Sequence, residues 1–151
     1  MGILTDTFIA TEAELAATQF EGSGGPINWF PTVQGKNIDP VKLALLEAIV
    51  TGQDPDDPDV VTGMIGQPIR ESEEEWICPF SDRLAAKLAD LTTAEISRYG
   101  TIWASSKEWS DPRESLATDA AHYITLYLQE ICQLAVRAKA EGKHMYMWIA
   151  L

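Results

Sequence analysis

The chain has 151 residues, about the length of one domain, and its apolar content of 46%, which includes five Trp, is sufficient for a sizeable core. Its 23 acidic and 11 basic residues give a formal net charge of −12, which repels nucleic acid and anionic membranes and attracts basic partners. Composition therefore argues against a disordered chain and against a nucleic-acid-binding protein. We expect residues 1–151 to form a single globular domain.

The chain is predicted to begin with a strand over residues 2–10, where Ile and Phe supply β-forming side chains. A helix follows this strand, because Thr11 and Glu14 have the spacing of a capping box. The pattern predicts that the helix continues through Phe20 and ends at Gly22.

A long connection over residues 21–39 comes next, and it is rich in Gly and Pro. Its glycines permit positive φ angles, and its prolines prevent a regular hydrogen-bond ladder. Trp29 and Phe30 are expected to pack this connection against the core. Connections of this length in compact domains are often functional.

A second helix is predicted from Asp39, with Pro40 in its first turn, to a stop at Gly52. Residues 53–72 are expected to be irregular. The closely spaced prolines of segment 54–59 argue against both helix and central strand there. The two predicted loops belong to one unit, because no linker separates two domains.

Residues 75–80 are a short apolar run that predicts either a strand or an extended lead into the next helix. A third helix is predicted to begin after Ser81, a favourable N-cap residue. A fourth helix begins almost at once, because Thr92 and Glu95 form another capping box.

The last forty residues carry the strongest structural pattern in the chain. Apolar residues at helical spacing predict a long helix over residues 114–141, which stops at Gly142. Residues 144–151 then form a terminal strand, with His144 at its exposed edge. The predicted fold class is α+β, with about five helices around the long C-terminal helix and a small sheet that pairs the N- and C-terminal strands. An open edge on the terminal strand would permit a homodimer.

The two cysteines, Cys78 and Cys132, show no spacing typical of a disulfide framework or a metal site. Reduced, buried thiols favour a cytoplasmic protein. The N-terminus has no pattern typical of a signal peptide, and the longest apolar run is too short to cross a membrane. We therefore expect neither a membrane nor a nucleic acid among the partners.

A polar stripe on the long helix offers the first candidate site. His122 could act as an acid or base, Asp119 could orient it, and Gln129 lies on the same stripe. One Asp-x-x-His pair does not make a metal site, since such sites normally need three or more protein ligands. A solvated helix face with an ordinary histidine is the alternative interpretation.

Two acidic segments, residues 54–59 and 71–75, offer the second candidate. Residues 54–75 hold eight acidic residues and one base, Arg70. The acidic residues of the first segment are Asp54, Asp56, Asp57 and Asp59. This segment lacks the Gly and the terminal Glu of an EF-hand loop, and no glycine pattern in the chain matches a phosphate-binding loop. We expect no metal and no cofactor, and a solvated loop is the alternative interpretation.

Trp29 and Trp76 are candidate binding residues because tryptophans beside loops can anchor a partner. They can equally fix irregular segments to the core. No motif is specific enough to assign a family. The sequence therefore favours a non-enzymatic protein-interaction or regulatory module for a basic protein. The alternative is a small-molecule-binding protein or enzyme with a pocket around His122, walled by Trp29 or Trp76.

Overall fold

The structure is a computed structural model that describes residues 3–20, 24–109 and 120–151. Within these ranges the chain forms six α-helices, two short 3-10 helices and five β-strands. The strands are β1 (Leu4–Ala10), β2 (Thr32–Val33), β3 (Arg70–Glu71), β4 (Glu75–Pro79) and β5 (His144–Ala150). The α-helices are α1 (Glu12–Ala16), α2 (Pro40–Val50), α3 (Pro58–Met64), α4 (Asp82–Asp90), α5 (Thr93–Ala104) and α6 (Ala120–Glu141), and the 3-10 helices are Pro26–Asn28 and Lys107–Trp109.

The strands form one antiparallel sheet in the order β2-β1-β5-β4-β3. β5 lies in the middle, paired along its whole length with β1 and on its other side with β4. The predicted α+β fold, with its long C-terminal helix and its pairing of the first and last strands, is thus confirmed. The predicted open edge on the terminal strand is wrong, because both sides of β5 are hydrogen-bonded. Among the described residues, the sheet edges are the two-residue strands β2 and β3.

One face of the sheet packs against α4 and α6, and α2 and α5 pack against these helices to complete the same core. Met145, Met147 and Ile149 of β5 point to this side and join the larger core. Their neighbours in sequence point the other way, as strand geometry requires. α6 supplies a continuous apolar stripe to this core, which includes the fully buried Leu128 and Ile131. The predicted central role of the C-terminal helix is confirmed over residues 120–141, while residues 114–119 lie outside the described part of the chain.

The opposite face of the sheet carries a thinner aromatic layer, which α1 and the connection after it cover. The ring of Phe8 lies 5.5 Å from the rings of both Phe30 and Tyr146, and it meets Phe20 edge-on at 5.6 Å. Gly25, at φ +92°, passes so close to Trp148 that a Cβ atom there would lie 2.9 Å from the indole ring. This layer is short, so part of the face remains open as clefts.

The predicted starts of α1, α4 and α5 are confirmed by cap geometry. Thr11 and Thr92 both form complete capping boxes, with Glu14 and Glu95 respectively. The hydroxyl of Ser81 accepts the N–H of Leu84 at the start of α4.

The predicted length of the first helix is wrong, since α1 ends at Ala16 rather than near Phe20. The guanidinium of Arg70 donates to the carbonyl of Leu15 at 2.7 Å and to that of Thr18 at 2.6 Å. These bonds satisfy backbone oxygens that a longer helix would use internally. The chain then leaves the helix axis and buries Phe20 in the aromatic layer, and this tertiary contact overrides the local helix pattern.

The predicted irregularity of residues 53–72 is only partly correct. α3 begins at Pro58, after Asp57 accepts the N–H of Asp59 at 2.9 Å as N-cap. Proline is excluded from a helix interior but is favourable at the first position, so the proline pattern marked a helix start.

The predicted packing of the long connection over residues 21–39 is also wrong in part. Phe30 is half-buried as expected, but Trp29 is 57% exposed.

Both cysteines are free and buried, and burial raises the pKa of the Cys132 thiol to about 12. Burial also raises the pKa of Cys78, with a contribution from Glu71. The thiols are therefore protonated and poorly nucleophilic at neutral pH. None of the helices in the described part of the chain is long and apolar enough to cross a membrane.

Asp6, a buried carboxyl group on β1, makes the stability of the fold depend on pH. Burial raises its pKa, and the hydrogen bond from the Gly35 backbone lowers it less. An acid with a raised folded-state pKa stabilises the fold fully below its unfolded value of 3.8, and this contribution is lost as pH rises through the folded value. We expect Asp6→Asn to gain stability relative to the wild type as pH rises from about 3 to about 7. Urea unfolding of both proteins across that range checks the sign, and a declining relative stability would contradict it.

Candidate functional site

Two adjoining clefts open on the sheet face that α1 partly covers. The first, which we call the hairpin cleft, has a volume of about 350 Å³ and lies between the end of α1 and the β3–β4 hairpin. The second, the His144 cleft, has a volume of about 560 Å³ and lies between α1, the start of β5 and the start of α4. Ala16 and Arg70 line both clefts, so the two are direct neighbours.

The hairpin cleft combines aromatic surface with carboxylates. Glu71 and Trp76 are cross-strand neighbours in the β3–β4 pair, and the indole Nε1 of Trp76 donates to Oε1 of Glu71 at 3.2 Å. Both side chains project to the side of the larger core, against which Trp76 packs. Glu75 and Phe20 line the cleft from the opposite side of the sheet, the side to which Ile77 points. The hydroxyl of Ser72 accepts the N–H of Glu75 at 3.2 Å, which fixes the turn of the hairpin. The carboxylates of Glu71 and Glu75 therefore flank this edge of the sheet on its two sides, where a cation can approach either of them.

Arg70 is the basic residue that lines the hairpin cleft, and its guanidinium holds the end of α1 against the hairpin. Its two terminal nitrogens donate to backbone carbonyls at the end of α1, and its guanidinium carbon lies 6.0 Å from the centre of the Phe20 ring. The glutamates at positions 71 and 73–75 make no ion pair with any residue that the structure describes. The hairpin therefore carries uncompensated negative charge.

The His144 cleft gathers polar groups from three elements. Nδ1 of His144 lies 3.7 Å from Oδ1 of Asp82, and its ring centre lies 6.4 Å from that of Tyr146. Tyr146 is 5% exposed, and burial raises the pKa of its hydroxyl, with smaller contributions from Glu12 and Asp82. The prediction that His144 is exposed is confirmed. Its place in a cleft was missed, although the alternation of β5 puts His144 and Tyr146 on one face.

The structure does not bring the predicted aromatic and polar site residues together. Trp29 precedes the edge strand β2, whereas Trp76 lies on β4, which β1 and β5 separate from β2 in the sheet. His122 and Gln129 are exposed on α6 and line neither the hairpin cleft nor the His144 cleft. Asp119 lies outside the described residues. The pocket around His122 thus gains no wall from Trp76.

The acidic segment 54–59 is a surface loop that leads into the first turn of α3. Asp54, Asp56 and Asp59 are exposed, and Asp57 is half-buried where it caps α3. Oδ1 of Asp54 accepts the N–H of Asp56 at 2.9 Å, so local backbone bonds shape the loop. Across the described residues, no group of three or more His, Cys, Asp or Glu side chains is placed to hold a metal ion.

The fold defines an α+β protein with a central C-terminal strand and two clefts on the thinner side of its sheet. No protein-family profile matches the chain, and no curated protein matches it significantly. Among solved structures, it is similar to the crystal structure of a protein of unknown function, YfbM from Escherichia coli. The TM-score is 0.51 at 12% sequence identity, over 97% of this chain and 99% of that chain. This likeness concerns the fold alone.

Proposed function

We propose that this chain is a non-enzymatic interaction protein that binds a basic protein through its hairpin cleft. The observation that carries the proposal is the combination of Glu71, Glu75 and Trp76 around one cleft, without an ion-paired base from the described residues. Lys or Arg side chains of the partner would approach this edge of the sheet, with Glu75 on the cleft side and with Glu71 and the Trp76 indole on the other side. Cation–π contacts contribute about 0.5–2 kcal/mol, depending on desolvation.

The charge distribution supports the same partner. With a net charge of −12, the chain attracts basic proteins at long range and accelerates their association. The hairpin supplies the contact surface, and the exposed Asp54, Asp56 and Asp59 extend the negative field. Trp29, exposed at the far side of the sheet, would be a separate contact for a large partner. The two free cysteines favour a cytoplasmic setting for this interaction.

Salt-dependent capture by three matched variants tests the proposal. Glu71→Gln/Glu75→Gln removes two charges from the hairpin, Asp54→Asn/Asp56→Asn removes two from the α2–α3 loop, and Glu108→Gln/Glu130→Gln removes two elsewhere. We expect the wild type to capture a basic protein from extract of the source cells at low salt and to release it at high salt, because screening shortens the reach of exposed charges.

We expect the hairpin variant to lose at least about tenfold in affinity for the purified partner, as removal of two contact charges at about 1 kcal/mol each implies. The loop variant should lose less, and the control variant should bind like the wild type. Trp76→Ala should weaken binding without changing the salt dependence. Equal losses in all three charge variants, or the absence of a salt-sensitive basic partner, would contradict the proposal.

A further inference from the structure

We propose that the His144 cleft is a separate binding site for a small organic amine in its protonated, ammonium form. At about 560 Å³, the cleft is within the range of about 300–1,000 Å³ that is typical of small-molecule sites. Leu15, Ile69 and Phe80 provide an apolar wall for a hydrocarbon tail. Glu12, Asp82, His144 and Tyr146 provide the polar lining.

Tyr146 gives this cleft a polar group that is held in a fixed position. The residue is only 5% exposed, and its ring stacks on that of Phe8 with 5.5 Å between the ring centres. Its hydroxyl forms no hydrogen bond with any residue that the structure describes, although the residue lines the cleft. The packing of the ring fixes the direction of this group before any ligand arrives.

The charges around the hydroxyl select a cation. The carboxylates of Glu12 and Asp82 are close enough to raise the pKa of Tyr146. Glu12 is exposed and has no ion pair with a described residue, and the Asp82 side chain, 95% exposed, lies 3.7 Å from His144. Arg70 offers little to an anionic ligand, since it donates to two backbone carbonyls of the α1 end.

An ammonium group fits this set of acceptors. It carries a positive charge and three N–H donors, which match the two carboxylates and the Tyr146 hydroxyl. Charge-assisted hydrogen bonds of this kind are about twice as strong as neutral ones. A carboxylate or phosphate ligand would instead meet two like charges. The site does not depend on the hairpin cleft, because different carboxylates define the two.

Titration with 2-phenylethylamine, followed by NMR of the labelled full-length protein, tests this inference. Two probes of similar shape serve as controls, neutral 2-phenylethanol and anionic 3-phenylpropanoate. We expect the amine at millimolar concentration to shift the amide signals of His144 and Tyr146, with weaker shifts from the alcohol and none from the acid. Equal responses to amine and alcohol would overturn the inference, as would undisturbed His144 and Tyr146 signals.

Two single-group variants locate the contacts. Tyr146→Phe removes only the hydroxyl, and Glu12→Gln removes a charge from an exposed position in the first turn of α1. We expect each to weaken amine binding by about threefold to tenfold, while Glu71→Gln/Glu75→Gln leaves it unchanged. Unaltered affinity in Glu12→Gln would overturn the inference even if Tyr146→Phe folded poorly. Capture of a basic protein by Glu12→Gln should be normal, so the two proposals can fail separately.

Discussion

Deletion of residues 145–151 is expected to abolish cooperative unfolding. These residues include nearly all of β5, which joins β1 and β4 in the middle of the sheet. They also supply five large buried side chains: Met145, Tyr146, Met147, Trp148 and Ile149. At about 1.5–3 kcal/mol for each buried side chain, their loss is comparable with the total stability of a domain, about 5–15 kcal/mol. Urea unfolding followed by circular dichroism checks this expectation.

Deletion of Leu151 alone is the matched control for the strand. Its side chain is 73% exposed, and its backbone N–H donates to the Glu74 carbonyl at 3.1 Å. Its removal should therefore cost no more than about 1 kcal/mol, the net value of one hydrogen bond. If the longer deletion unfolded with the same midpoint and cooperativity as the full chain, the central position of β5 would be refuted.

Trp103→Ala is expected to be the most destabilising single substitution among the tryptophans. Trp103 is 0% exposed, its Nε1 donates to the Lys42 carbonyl at 3.0 Å, and its ring meets that of Trp109 edge-on at 5.3 Å. Truncation of a buried Trp to Ala costs about 3–5 kcal/mol, because it loses transfer free energy and leaves a cavity. The free energy of unfolding, measured in urea by circular dichroism, gives the loss directly.

Two further tryptophan variants show how much of the loss comes from the hydrogen bond and how much from burial. Trp103→Phe retains an aromatic ring but loses the hydrogen bond to Lys42, so we expect an intermediate loss of about 1–3 kcal/mol. Trp29→Ala should change stability by less than about 0.5 kcal/mol, because its side chain is 57% exposed. A loss in Trp29→Ala as large as that in Trp103→Ala would contradict the assigned burial.

The two clefts differ in how far the sequence could predict them. Trp76 and the acidic residues were recognisable, because an aromatic residue beside a run of glutamates is visible in the sequence itself. The His144 cleft was not predicted. Glu12, Asp82 and Tyr146 are far apart in the chain, and only the pairing of β5 with β4 and the packing of α1 bring them together. The polar stripe of α6 gave a regular pattern, yet its periodicity could not distinguish a site from a solvated helix face.

The sequence by itself determined the features that depend on a few neighbouring residues. Capping boxes at Thr11 and Thr92 placed two helix starts, and apolar spacing identified the long C-terminal helix and the terminal strand. The negative charge of the chain is likewise independent of its fold.

Tertiary structure decided everything that depends on distant partners. Backbone pairing put β5 between β1 and β4, and thereby removed the open edge that its sequence had suggested. Packing buried Trp103 completely and left Trp29 exposed, although both are tryptophans near loops or helix ends. The physical reason is the sequence distance over which each interaction acts. Caps and turns act over about four residues, whereas burial, strand order and the lining of a cleft are set by contacts between elements far apart in the chain.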